Sequence, residues 1–232
     1  FARATGLFRE KHISVIVVLG ILALVFAEID HWYGFFVALF PLGVSLIAAV
    51  SILPDQPKGY LQRVALGVWG FMLFGSGLGH LGYMANDSNY RPIVLMLLVG
   101  VQLNDVAAFI VGKTLGRRKL VPQTSPNKTI AGSVGAILII TPLIAVMGHY
   151  VFKGSTLDRP FYLILLGVIM SVSGQLGDLM LSSIKRDLGI KDMGVLIPGH
   201  GGLLDRCDSL IFTAPLFFHM ITHYVGFSGG SP

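Results

Sequence analysis

Four of the twelve acidic residues in this chain, Asp105, Asp178, Asp205 and Asp208, fall at or inside the ends of strongly apolar stretches. A carboxylate near lipid is expensive unless it is paired, bound to a metal or reached by water. Any one of them alone reads equally well as a helix cap or an interfacial group. Four from three apolar stretches point to shared chemistry. If the helix through Asp178 continues, Ser182, Lys185 and Arg186 follow at i+4, i+7 and i+8, on the same face. Asp205 and Asp208, at i and i+3, are expected to share a face at the start of the last apolar stretch. Between the two groups runs GIKDMGVLIPGHGG, residues 189–202, a glycine-rich loop broken by proline and holding His200. Carboxylates without soft ligands suit Mg²⁺ or Mn²⁺, which take oxygen donors and accompany phosphates. Lys185, Arg186, Lys191, Arg206 and the glycine amides would neutralise a polyphosphate. Together these residue types describe phosphoryl or nucleotidyl transfer, where positioning and charge neutralisation do most of the work.

A second basic stretch, GKTLGRRKLVPQTSPNKT at 112–129, carries two prolines that keep it from being helical. It reads either as an anchor beside anionic headgroups or as a phosphate-binding loop with Ser125, Lys128 and Thr129 as donors. His200 taken alone is more often a structural loop residue. His80, His149, His219 and His223 read as interfacial or packing residues. Gly75, Gly77, Gly79 and Gly82 fit close helix packing in a membrane better than a nucleotide loop.

The elements that must position these groups follow from composition. The 232 residues are 53% hydrophobic and 12% charged, about half the charge of an ordinary soluble domain, so lipid rather than water is the main solvent. Seven segments approach the roughly 20 apolar residues of a spanning helix: about 13–29, 32–53, 64–84, 92–112, 130–150, 161–181 and 207–226. The fold class is therefore all-α, a polytopic integral membrane protein of about seven transmembrane helices with cytoplasmic polar loops. Seven spans put fourteen of the seventeen lysines and arginines on the side of the N-terminus, leaving Arg91, Lys153 and Arg159 opposite. The lysine-rich side is cytoplasmic by the positive-inside rule, which faces the loops 113–129 and 182–206 toward the cytosol together. No linker or repeat divides the chain, which reads as one membrane domain, 1–232. Within it, residues 1–103 hold the N-terminal helices and 104–226 the catalytic membrane region. The basic charge needs no nucleic acid, since the same rule accounts for it. Cys207 is the single cysteine and excludes an internal disulfide. The first residue is Phe1 rather than methionine, which suggests a trimmed N-terminus.

The run SSIKRDLGIKDMGVLIPGHGGLLDRCD, residues 182–208, resembles the signature of the phosphatidate cytidylyltransferase (CDP-diacylglycerol synthase) family. The likeness rests on Ser182, Lys185, Arg186, Lys191, Asp192, Gly194, Pro198, His200, Gly201, Gly202, Asp205, Arg206 and Asp208 at fixed spacing. GQLGD at 174–178 is similar to the family's glycine–aspartate step. NDVAAFIVGKTLGRRKLVPQTSPNKT at 104–129 is similar to its helical aspartate followed by a basic SP-x-KT loop. The resemblance spans about residues 104–212. It implies CTP and phosphatidic acid as substrates, CDP-diacylglycerol and pyrophosphate as products, and membrane lipids as surroundings. It implies Asp178, Asp205 and Asp208 as ligands of Mg²⁺ or Mn²⁺, with room for a second cation, and Lys185 and Arg186 beside them in catalysis. Lys128, Ser125, Thr129, Ser182, Lys191, Asp192, His200, Gly201, Gly202, Arg206 and Asp105 are implied as substrate-binding residues. Because the lipid phosphate is already an anionic nucleophile, no strong base is required.

Three positions depart from the family pattern. Leu181 and Ala131 stand where glutamate is usual, and Cys207 stands where a larger apolar residue is usual. Two other readings compete. One is a related CTP-dependent transferase acting on another lipid phosphate or alcohol. The other is a cation- or proton-coupled transporter, which would place its polar groups near the bilayer midplane in broken helices rather than at one face. A homodimer is one assembly such a chain could form, but the sequence does not set the oligomeric state.

Overall fold

The structure, a computed structural model, describes residues 1–194, 202 and 204–226. His200 and Gly201 lie outside the described residues. The chain forms two compact units, one over Phe1–Asp87 and a second beginning at Ser88.

In the first unit, α1 (Lys11–Ile29) and α2 (Tyr33–Val50) precede α3 (Tyr60–Phe71), which runs through a π-helical segment (Met72–Leu78) into α4 (Gly79–Ala85). α1 is apolar all round: Ile13, Val17 and Leu24 are buried while Val15, Val18, Leu22 and Phe26 are exposed. A helix apolar on every face belongs in a core or in lipid. The Phe71 ring, 1% exposed, fills the gap between Gly20 and Gly43. Gly75 lies against Leu24 and Phe71, and Gly79 and Gly82 lie against Glu28, so this glycine run packs helices. The buried His80 ring stacks on Phe40 at 5.3 Å and meets Phe36 edge-on, with Nδ1 2.6 Å from the Ser76 carbonyl oxygen.

The second unit holds α5 (Tyr90–Leu115), α6 (Ile130–Val151), α7 (Pro160–Asp187) and α8 (Asp208–Val225). Proline at the first position of α7 suits a helix start, where its missing N–H costs nothing. Between α5 and α6 the basic stretch folds into an antiparallel hairpin, β1 (Lys119–Val121) with β2 (Ser125–Thr129). The sequence reading anticipates a loop here rather than strands. Thr129 ends the hairpin and caps α6, its hydroxyl accepting the Gly132 N–H at 3.1 Å.

Among the described residues, six helical spans are long and apolar enough to cross a membrane: Lys11–Ile29, Tyr33–Val50, Tyr60–Ala85, Tyr90–Leu115, Ile130–Val151 and Pro160–Asp187. The chain is thus a multi-pass membrane protein, largely α-helical. The seventh expected segment forms α8, which is less apolar because it carries Asp208, His219 and His223. Its Leu210, Ile211, Ala214, Phe217, Phe218 and Ile221 are buried while Phe212 and Leu216 are exposed, so most of this helix's apolar surface packs on protein.

Candidate active site

α7 remains helical through Asp187, and this extension organises the polar residues. Asp178, one turn before Ser182, accepts its hydroxyl at 3.2 Å. Lys185 reaches Asp205, Nζ to Oδ1 3.0 Å, and Arg186 donates from Nε to the Thr124 carbonyl oxygen at 3.2 Å. Each residue of the anticipated face therefore has a different partner, and Arg186 holds the hairpin.

Asp205 and Asp208 do not share a helix face as the spacing suggests. Asp205 lies in a 3₁₀ turn (Leu204–Arg206), and Asp208 opens α8. The turn lets Asp205 Oδ2 accept two backbone N–H groups, from Met193 at 2.8 Å and Gly202 at 3.1 Å. Burial works to raise the Asp205 carboxyl, but the hydrogen bonds from Lys185, Met193 and Gly202 outweigh it and hold the group below its ordinary value. Asp208 accepts the Ser209 N–H at 2.8 Å, and the Ser209 hydroxyl donates to Asp105 at 3.2 Å.

α7 and α8 approach closely at Gly177, where an added Cβ would stand 2.6 Å from the Asp208 carbonyl oxygen. That contact brings Asp178 alongside Asp208. The charges of Asp105, Asp178 and Asp208 act on one another. The hairpin delivers the compensating cation: Lys128 Nζ pairs with Asp178 across fifty residues of chain. The side chains of Lys185 and Asp205 are 12% and 7% exposed, against 22% each for Lys128 and Asp178. Both pairs are thus sheltered enough for charge to matter energetically.

These groups surround a cavity of about 640 Å³. Asp105, Ser125, Lys128, Thr129, Asp178, Asp205, Arg206 and Asp208 line it. Lys185, Ser182 and Gly202 stand one contact behind, bonded to Asp205 or Asp178. Lys191 and Asp192 are exposed, and the cavity wall does not include them. Among the described residues, no three His, Cys, Asp or Glu side chains are grouped to hold a metal ion; Asp178 and Asp205 turn oxygens to lysines instead. Leu181, one of the departures noted above, is fully buried and supplies no ligand. The Cys207 thiol is pushed up by burial and then by the Asp208 charge, which works against a thiolate there.

A polar network absent from the sequence reading runs from the cavity wall, where Ser133 and Gln175 stand, in among the helices. The Ser171 hydroxyl donates to Asn104 Oδ1 at 2.5 Å, and Gln175 Nε2 donates to Ser171 Oγ at 3.4 Å. Ser133 donates its hydroxyl to Gln175, tying α6 to α7. Ser173 donates to Thr213 at 3.0 Å, and Thr213 to the Ser209 carbonyl at 2.7 Å. The available signal was amide and hydroxyl side chains recurring inside an apolar span.

Fold and cavity together define a polytopic helical membrane protein with an ion-paired polar chamber built by its last four long helices and one hairpin. Residues 2–224 match the cytidylyltransferase family, and the chain belongs to that family. It is 39% identical over 197 residues to the protein YnbB of Escherichia coli, covering 82% of this chain and 65% of that one. It is 40% identical over 142 residues to the phosphatidate cytidylyltransferase of Staphylococcus haemolyticus, covering 60% and 53% of the two chains. The phosphatidate cytidylyltransferase of Bacillus subtilis is 45% identical over 118 residues, covering 50% of this chain and 42% of its own. The chain thus spans between about two fifths and two thirds of the length of these relatives.

Proposed function

We propose that this chain is a CTP:phosphatidate cytidylyltransferase. An oxygen of the lipid phosphate attacks the α-phosphorus of CTP, the α–β phosphoanhydride bond breaks, and CDP-diacylglycerol and pyrophosphate result. The observation that carries the reading is the Lys128–Asp178 pair inside a cavity that also holds Asp105, Asp205, Arg206 and Asp208. The cations suit a triphosphate, and the carboxylates suit the divalent ion that would accompany it. Relatives of the same family named phosphatidate cytidylyltransferase support the choice of substrates.

The chain's own residues divide the work. Lys128 and Arg206 hold phosphate oxygens, with the Ser125 and Thr129 hydroxyls as neutral donors beside Lys128. Lys185 and the Met193 and Gly202 amides fix Asp205 in its ionised form, and Ser209 orients Asp105. Since the nucleophile is already an anion, none of these groups has to remove a proton from it. The oxygens of Asp178, Asp205 and Asp208 are of the kind a hard divalent cation takes, and these residues would hold Mg²⁺ or Mn²⁺ once Asp178 and Asp205 turned from Lys128 and Lys185 toward the ion. Such an ion would neutralise triphosphate charge and make the α-phosphorus more electrophilic. The polar side faces the cytoplasm in this reading, where CTP is found and where the excess of lysine and arginine belongs.

The test is transfer of label from [α-³²P]CTP to phosphatidate by the purified chain in mixed micelles, with Mg²⁺ or Mn²⁺. Labelled CDP-diacylglycerol is expected. No labelled lipid under any divalent cation would overturn the proposal. Transfer to a different phospholipid or lipid alcohol in preference to phosphatidate would move the chain to a neighbouring CTP-dependent activity.

A further inference from the structure

The cavity has a second, chemically different end. Its wall includes Phe109, Leu120, Lys113 and Lys119, none of which the ion-paired centre uses. Phe109 lines the cavity yet is 66% exposed, on a span that crosses the membrane. Its neighbours Val106 and Ile110 are exposed on the same helix. The cavity therefore opens onto an apolar, lipid-facing surface. Lys113 stands one turn beyond Phe109, its ammonium 5.9 Å from the ring centroid. Lys119 opens β1 opposite Thr129. Thr129 packs against Gly112 and Gly116 in the last turn of α5, so the hairpin is docked on the turn that carries Lys113. Both lysines are exposed, and among the described residues neither has an acidic partner, whereas Lys128 on the same wall is committed to Asp178.

We propose that Lys113 and Lys119 are the capture site for the phosphomonoester of the acceptor lipid, seated at the lipid-facing mouth of the cavity. The inference rests on the proposed transferase reading and adds to it where the acceptor docks. A phosphomonoester carries close to two negative charges at neutral pH, and a phosphodiester carries one. Two unpaired ammonium groups therefore favour the monoester. The stems of both lysines can lie along apolar surface while their heads stay at the wet rim. Phe109 and the exposed face of α5 accommodate acyl chain below them. The phosphate then lies at the edge of the chamber that holds the nucleotide.

The test uses the full chain in phosphatidylcholine nanodiscs, with two readouts. The first, without nucleotide, is retention of dioleoyl phosphatidate against phosphatidylglycerol. The second is steady-state transfer. Lys113→Gln and Lys119→Gln should each weaken phosphatidate retention and raise its KM about five-fold, and together on the order of twenty-fold, since each removes one exposed ion pair. The KM for CTP should stay unchanged, and Lys113→Arg with Lys119→Arg should restore most of the loss. Unchanged retention and KM in the double glutamine variant would overturn the inference. An equal loss for phosphatidylglycerol would reduce the pair to a general anionic anchor and overturn it too. Competition by glycerol 3-phosphate as effective as by phosphatidate would show a site for free phosphates, again against it. The two proposals fail separately. Lysine-dependent phosphatidate retention without any transfer would refute the enzyme reading alone, and transfer indifferent to both lysines would refute this one alone.

Discussion

Replacing Gly177 with alanine should disable the active site, while the same change one turn earlier at Gly174 should be tolerated. A Cβ on residue 177 would stand 2.6 Å from the Asp208 carbonyl oxygen and 3.3 Å from Cβ of Phe212. Reaching an ordinary carbon–oxygen separation of about 3.3 Å requires α7 and α8 to part by roughly 0.7 Å. Overpacking of this kind costs about 1–3 kcal/mol, and the better helix propensity of alanine returns up to about 1 kcal/mol. Net destabilisation should therefore be about 0–3 kcal/mol. The chemical cost is larger, because the same movement separates Asp178 from Asp208. Displacing reacting or orienting groups by about 1 Å can cost a hundred-fold, so Gly177→Ala should lose about ten- to a hundred-fold in kcat. At Gly174 the nearest atom to an added Cβ would be Asn104 Nδ2 at 3.4 Å, an ordinary contact. The assay pairs CMP transfer with thermal unfolding in the same detergent. Gly177→Ala with wild-type kcat would refute the argument that this contact sets the carboxylate geometry, and so would equal damage from both substitutions.

Asp178→Asn removes the charge that pairs with Lys128 and should abolish transfer while preserving the fold; turnover near the wild-type rate would contradict the site assignment. Thr129→Val keeps the shape of a buried side chain but loses the α6 cap to Gly132, which should cost about 1 kcal/mol in unfolding experiments. Thr129→Ser should recover most of it, and an unaffected valine variant would argue against the cap. The Asp205 carboxyl is held below its ordinary value, so its stabilising contribution is complete above the unfolded value and fades as pH falls through the lower folded one. The thermal stability advantage of wild type over Asp205→Asn should hold near neutrality and shrink on acidification below about pH 4; a gap unchanged with pH would exclude this origin.

Much of the fold was readable because a membrane imposes a simple rule on sequence. The segments 92–112 and 161–181 became the cores of longer helices, and 130–150 became α6 almost residue for residue. The polar prolongation of α7 was readable from Asp178, Ser182, Lys185 and Arg186, since helical spacing alone aligns them. What the spacing could not convey was divergence at the tips, where Lys185 and Arg186 turn to Asp205 and Thr124. Asp205 and Asp208 misled for a related reason. Their i, i+3 spacing is as compatible with a 3₁₀ turn entering a helix as with one helical face, and the backbone N–H groups that fix the turn are chosen by tertiary contact. The hairpin was hidden because Pro122 and Pro126 argue against helix without arguing for strand. Pairing of Lys119 with Thr129 depends on docking against Gly112 and Gly116. The network through Asn104, Ser171 and Gln175 was overlooked although its residue types are conspicuous in an apolar span.

The ionic arrangement also links the chamber to local stability. Asp105, Asp178, Asp205 and Asp208 gather four carboxyl groups around one cavity, and such a cluster needs compensating cations close by. Lys128 and Lys185 provide that compensation from a hairpin and from a helix extension, so each ion pair also fastens a polar segment to the helices beneath it. A ligand that draws Lys128 onto its own phosphates takes one of these fasteners and must replace the charge it removes from Asp178. Binding and hairpin order are consequently coupled, and the coupling has a definite sign. Lys128→Met should leave Asp178 unpaired, loosen the hairpin and increase amide exchange over 119–129 before any nucleotide is added. Asp178→Asn should loosen the hairpin as well, because the two side chains are equally sheltered and either change leaves the other without its ion pair. Hydrogen exchange unchanged from wild type in both variants would mean that packing of Thr129 on Gly112 and Gly116, and not the ion pair, holds the hairpin in place.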